Sequence, residues 1–194
     1  GELLWEYQYA FPPASKMLGG PTRNIALWQD RLFLATYDAA IVAIDAATGQ
    51  ERWRTEKADY RKAFTHSAGP IVANGIVVSG INGCELFTQD GCFITGPDPE
   101  TGEELWRTST LAEPGTPEYA SWGNVAPDRR GGGDIWIAGS YDPKLDLVYF
   151  GTSQPKPWAA PSRGMSVEDA ALYTNATLAV RPKTGELAWH FQHI

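Results

Sequence analysis

The sequence predicts an all-β fold of β-propeller type. Three observations carry the prediction: a turn-and-tryptophan unit that recurs along the chain, short apolar alternating runs between its copies, and an abundance of turn residues. The unit aligns without gaps in Asp45-Ala-Ala-Thr48-Gly49-Gln-Glu-Arg-Trp53, Asp98-Pro-Glu-Thr101-Gly102-Glu-Glu-Leu-Trp106 and Arg181-Pro-Lys-Thr184-Gly185-Glu-Leu-Ala-Trp189. Gly1-Glu-Leu-Leu-Trp5 reads as the tail of a fourth copy. Twenty Gly and 14 Pro in 194 residues favour many short strands joined by turns over long helices.

Each copy is a hairpin. An apolar run such as Ile41–Ile44 enters the turn, Asp and Thr offer side-chain acceptors to backbone N–H groups, and Gly supplies a residue free to take positive φ. Between the hairpins lie further strand candidates: Ile25–Trp28, Arg31–Thr36, Ile71–Ala73, Ile76–Ser79, Ile135–Ala138 and Leu147–Gly151. Gln29-Asp30 and Asn74-Gly75 divide them as turn pairs. Four strands per unit of about fifty residues is the pattern of a propeller blade. About four such blades fill residues 1–194 as one incomplete propeller, with an insertion at about 110–165. Ser166–Ala171 is the one stretch that could make a short helix. The repeated Trp residues are assigned to packing between blades rather than to chemistry.

A formal charge of −7 argues against nucleic acid or an anionic membrane surface as partner. No apolar run reaches the ~18 residues that span a bilayer. The chain opens on Gly1 inside a repeat, from which we expect further sequence upstream. Cys84 and Cys92 are compatible with free thiols or with one small-loop disulfide. His190 and His193 fall on different faces of a strand-like terminus and suit no zinc site. The glycines at 131–133 lack the Lys-Ser/Thr and helix of a phosphate loop, and Asn175-Ala-Thr177 sits in a strand candidate. No Gly-x-Gly-x-x-Gly supports a nicotinamide cofactor.

The repeat Ala43-x-Asp45-x-x-Thr48-Gly49-x-x-x-Trp53 resembles the tryptophan-docking motif of the quinoprotein alcohol dehydrogenases, which depend on pyrroloquinoline quinone (PQQ). The insertion strengthens the likeness. Gly131-Gly-Gly-Asp-Ile-Trp136-Ile-Ala-Gly-Ser-Tyr141-Asp142-Pro143, continuing through Phe150-Gly151-Thr152-Ser-Gln154 to Trp158, resembles that family's cofactor-pocket floor. The likeness runs through essentially the whole chain, about four of the eight blades of such enzymes.

By this resemblance Trp136 stacks on the quinone, and Arg23, in Thr22-Arg-Asn-Ile-Ala-Leu-Trp28, engages its carboxylates or carbonyls with a rigid fork of donors. Asn82 and Ser67 are further cofactor contacts. Glu85, in Asn82-Gly-Cys-Glu85, is the implied ligand of the active-site cation, normally calcium, with a lanthanide as the alternative; a carboxylate suits a hard ion. Gln154 stands where the family commonly has a second, Asn ligand. Two departures stand out: Met17-Leu18 occupies the region of the family's adjacent-cysteine disulfide, and Glu85 to Asp98 is two residues longer than usual. The implied general-base Asp lies beyond Ile194, so no catalytic residue is assigned within the chain, and the 194 residues alone are not expected to turn over. The resemblance further implies an alcohol substrate, hydride transfer to the quinone, a cytochrome c electron acceptor and a periplasmic location. The rival expectation is a non-catalytic propeller of similar repeats that scaffolds assembly in the cell envelope.

Overall fold

The computed structural model describes residues 1–12, 22–84 and 91–193. Two four-stranded antiparallel sheets come first. One joins β1 (Ile25–Trp28), β2 (Arg31–Ala35), β3 (Ala40–Asp45) and β4 (Glu51–Glu56) in chain order. The next repeats that order with β5 (Ile71–Ala73), β6 (Ile76–Gly80), β7 (Phe93–Pro97) and β8 (Glu104–Ser109). A two-residue strand, β9 (Gly131–Gly132), precedes the third sheet. That sheet is built from β10 (Ser140–Asp142), β11 (Leu147–Gly151), β13 (Ala176–Val180) and β14 (Leu187–Gln192), and β12 (Pro155–Lys156) leaves it to pair with β9. The described residues thus form three four-stranded blades, and the Trp5 segment, part of no sheet, docks on the first. The fold is all-β and of incomplete-propeller type.

The turns work as their residues require. Asp45 Oδ1 accepts from Ala47 N, Thr48 N and Thr48 Oγ1, and Asp98 Oδ1 does the same with Glu100 N, Thr101 N and Thr101 Oγ1. Each turn then receives the tryptophan of the preceding unit. Trp5, Trp53 and Trp106 donate through Nε1 to the carbonyls of Ala46, Pro99 and Pro182 at 3.0, 3.1 and 2.8 Å. Gly102 and Gly185 are held at φ 75° and 74°, and a Cβ on either would meet the incoming indole at 2.6 and 2.4 Å. Glycine is needed there twice over, for its backbone and for the space it leaves.

The cores lie between the sheets. Phe33, Ile41 and Ala43 of the first blade pack with Val77 of the second, while Val78 and Ile94 pack with Ile135, Phe150 and Leu178 of the third. The first strand of each sheet faces the next, β5 touching both β1 and β10. Their ends therefore converge.

Two expectations fail locally. Ile135–Ala138 is not a strand, because its backbone bonds elsewhere: Ile135 N donates to Ile81 O at 3.0 Å, and the ladder starts only at Ser140. Ser166–Ala171 is not a helix, because the Asp169 carboxylate caps Ser166 N at 2.7 Å and closes a turn; a 3-10 turn lies earlier, at Ala160–Arg163. The insertion also divides in two. One part lies between β8 and β10, the other between β11 and β13.

Candidate functional site

Four chain segments meet at the converging strand ends: the approach to β1, the loop before β5, the exit of β6 and the stretch after β9. Thr65 and Asn82 clasp the second and third, Thr65 N donating to Asn82 O at 2.9 Å and Asn82 N to Thr65 O at 3.0 Å. The Asn82 side chain, buried, accepts from Ser67 N at 3.0 Å. Ser67 Oγ donates to Trp136 O at 3.4 Å. Arg23 Nη1 then spans both, reaching Ser67 O at 3.2 Å and Trp136 O at 3.4 Å, while its backbone N donates to Ser67 O at 3.3 Å. Gly69 makes this crossing feasible, since a Cβ there would sit 1.7 Å from Asn24 O.

The structure thus brings Arg23, Ser67, Asn82 and Trp136 together in one hydrogen-bonded group. Trp136 is 37% exposed, whereas Trp106 at its inter-blade seat is 9% exposed. Arg23 uses carbonyl oxygens only and meets no carboxylate among the described residues, so its positive charge is uncompensated there. The Trp136 residue is part-exposed and its carbonyl holds the Arg23 guanidinium, a donor fork that suits a ligand carrying carboxylates.

Of the implied cation ligands, Gln154 is exposed just after β11, and its amide makes no hydrogen bond among the described residues. Its backbone carbonyl packs against Gly132, where a Cβ would come within 2.3 Å. Glu85 lies outside the described residues, as does Met17-Leu18. A free amide oxygen on the exposed rim fits a hard cation, which takes oxygen ligands at about 2.3–2.6 Å.

Cys84 and Cys92 form a disulfide with Cα atoms 5.4 Å apart, fully buried against Phe64, Ile81 and Phe93. Asp134 presents a carboxylate within 4.8 Å of both sulfurs, but bonded sulfurs offer no thiolate and the trio is no metal site.

Sequence reasoning missed three buried polar groups near the site. Asp134 is fully buried; its Oδ1 accepts from Gly83 N at 2.8 Å and its Oδ2 from Ser153 Oγ at 3.1 Å. Lys57 donates from Nζ to Ser79 O and Ser79 Oγ at 3.0 and 2.8 Å, and burial holds it well below the usual lysine range. His66, next to Ser67, has Nδ1 3.1 Å from Thr36 O; burial, with the Lys57 charge adding to it, pushes it down to about 3. None belongs to a repeat, so no periodicity marks them. Two surface clefts flank Arg107, of about 250 and 200 Å³, and neither is lined by the group around Trp136.

Known proteins match this chain in sequence and fold. The family described as PQQ: glucose/ethanol/alcohol dehydrogenase, beta-propeller domain, matches residues 55–194. The quinohemoprotein alcohol dehydrogenase ADH IIB of Pseudomonas putida is 33% identical over 99% of the chain and 29% of its own length. The solved structure of quinohemoprotein alcohol dehydrogenase ADHIIG from Pseudomonas putida HK5 matches with a TM-score of 0.77 and 32% identity, over 89% of this chain and 26% of that one. A europium-containing methanol dehydrogenase matches with a TM-score of 0.73 and 28% identity, over 89% and 32%. The chain therefore spans about a third or less of each relative. On the match over residues 55–194, the chain belongs to the PQQ glucose/ethanol/alcohol dehydrogenase β-propeller family.

Proposed function

We propose that this chain contributes the floor and one wall of a PQQ site in a dehydrogenase that oxidises an alcohol. The observation that carries the reading is the convergence of Arg23, Ser67, Asn82 and Trp136 from four separate segments. Trp136 offers a face for stacking, and the carbonyl anchors of Arg23 aim a fork of donors beside it. Asn82 fixes the Ser67 backbone, which in turn takes the Arg23 bonds. Gln154, together with Glu85, is assigned to hold calcium, or a lanthanide in its place.

When bound, PQQ supplies the two-electron quinone that accepts hydride from the alcohol carbon, and the cation supplies Lewis-acid charge beside it. The chain's own residues bind, orient and exclude water. The hydroxyl proton is assigned to an aspartate C-terminal to Ile194, so turnover belongs to the whole protein and not to these residues alone. Electrons are assigned to a cytochrome c. Further blades are assigned to the flank at Trp189 and Phe191, which are 45% and 61% exposed on β14. A periplasmic location is supported by the buried disulfide, which needs an oxidising compartment. Among the described residues no helix is long and apolar enough to cross a membrane.

The test is reconstitution of the whole protein with PQQ and Ca²⁺, read as a bound-quinone absorption band and dye-linked oxidation of primary alcohols. Both should be present and should be lost on chelation. Arg23→Ala should weaken quinone binding by about tenfold or more, the worth of a charge-assisted hydrogen bond. No quinone band at any concentration of Ca²⁺ or of a lanthanide ion would refute the reading.

A further inference from the structure

We propose that Asp134 is a positioning residue that locks the two segments bearing the cation ligands to the cofactor floor; the inference rests on the function proposed above and deepens it. Asp134 has no exposure to solvent, yet it keeps a carboxylate where an apolar residue would avoid the cost of burying polar atoms. Both oxygens are spent on specific partners. Oδ1 accepts from Gly83 N, two residues before Glu85 in the chain, and Oδ2 accepts from Ser153 Oγ, immediately before Gln154. The backbone closes the same junction: Asp134 N donates to Ser153 Oγ at 3.0 Å, and Ser153 N donates to Asp134 O at 2.9 Å.

Two residues further on stands Trp136, whose carbonyl takes the Ser67 and Arg23 bonds. One side chain therefore joins the exit of β6, the exit of β11 and the quinone floor, three segments far apart in sequence. Direct cation ligation by Asp134 is a poor fit, since both its oxygens are occupied and it is sealed from solvent. Its role is to hold the exits of β6 and β11 at Gly83 and Ser153 together, in the way residues behind a metal site orient those that touch it.

The experiment measures Ca²⁺ binding by isothermal titration, without quinone, on the whole protein and three variants, with thermal midpoints recorded alongside. Asp134→Ala removes both bonds and should weaken Ca²⁺ binding about 10–100-fold, the usual cost of losing such a support. Asp134→Asn keeps an oxygen for Gly83 N and an amide for Ser153 Oγ, and should bind Ca²⁺ within about threefold of wild type. Ser153→Ala removes the Oδ2 arm and the Asp134 N bond to the same hydroxyl but leaves the Gly83 arm, and should fall between the two. A role confined to folding would lower the thermal midpoint of Asp134→Ala without this graded loss of Ca²⁺ affinity at temperatures where every variant is folded. Should Asp134→Ala fail to fold, Ser153→Ala decides: weakened binding supports the role and unchanged binding overturns it. Equal affinity in wild type and folded Asp134→Ala, or a loss in Asp134→Asn as large as in Asp134→Ala, overturns the role of Asp134 alone. Absence of binding of both Ca²⁺ and a lanthanide ion in wild type overturns the proposed function, and this inference with it.

Discussion

His66 is a buried base whose neighbours favour its neutral form. Its folded pKa, about 3, lies below the unfolded value of roughly 6.5, so the unfolded chain binds the extra proton first. Stability from this group is complete above about pH 7 and is lost as the pH falls from 6.5 toward 3. By pH 5 the loss should reach about 2 kcal/mol. Comparing thermal midpoints of wild type and His66→Gln between pH 7 and 5 checks this; parallel curves would show that His66 is not held neutral. Nothing adjacent to His66 in the chain announces its burial, and the same is true of Asp134. Arg23 and Trp136 drew notice because each sits inside an extended motif, and the fold joins them by a hydrogen bond. Asp134 sits inside one as well, but a lone acid between Gly133 and Ile135 reads as a loop carboxylate until its partners, Gly83 and Ser153, are seen across the fold.

At the scale of elements, the inter-blade seat is the unit of construction. A tryptophan on one outer strand, a carbonyl in the next turn and a positive-φ glycine recur at Trp53–Gly102 and Trp106–Gly185. Thr55 and Thr108 add hydroxyl bonds to the carbonyls of the same glycines at 2.7 and 2.5 Å. Gly185→Ala combines a disfavoured backbone with a clash against Trp106, and should cost roughly 2–4 kcal/mol in denaturant unfolding. A loss under about 0.5 kcal/mol, the range of ordinary surface changes, would show that the seat is slack. These hairpins could be read from sequence because their turn chemistry is local. Ile135–Ala138 could not be read, since its composition is that of a strand but its hydrogen bonds run to Ile81, Ser67 and Arg23 in other blades. No local pattern reports bonds made across the fold.

At the scale of the whole molecule, closely similar blades converge their inner strand ends, and the sequence departs from its own repeat where they meet. The stretches that break the pattern, Gly131–Trp136 and Thr152–Gln154, bond to one another there and are the ones proposed to build the floor and its rim. The most direct test of that account is the PQQ affinity of the whole protein at saturating Ca²⁺, compared with that of Trp136→Ala. Loss of stacking and buried area, roughly 1–3 kcal/mol, predicts a Kd raised about tenfold to a hundredfold at an unchanged thermal midpoint. An affinity equal to that of wild type would mean that the exposed face of Trp136 is not the quinone's floor, and the account of the site would fail.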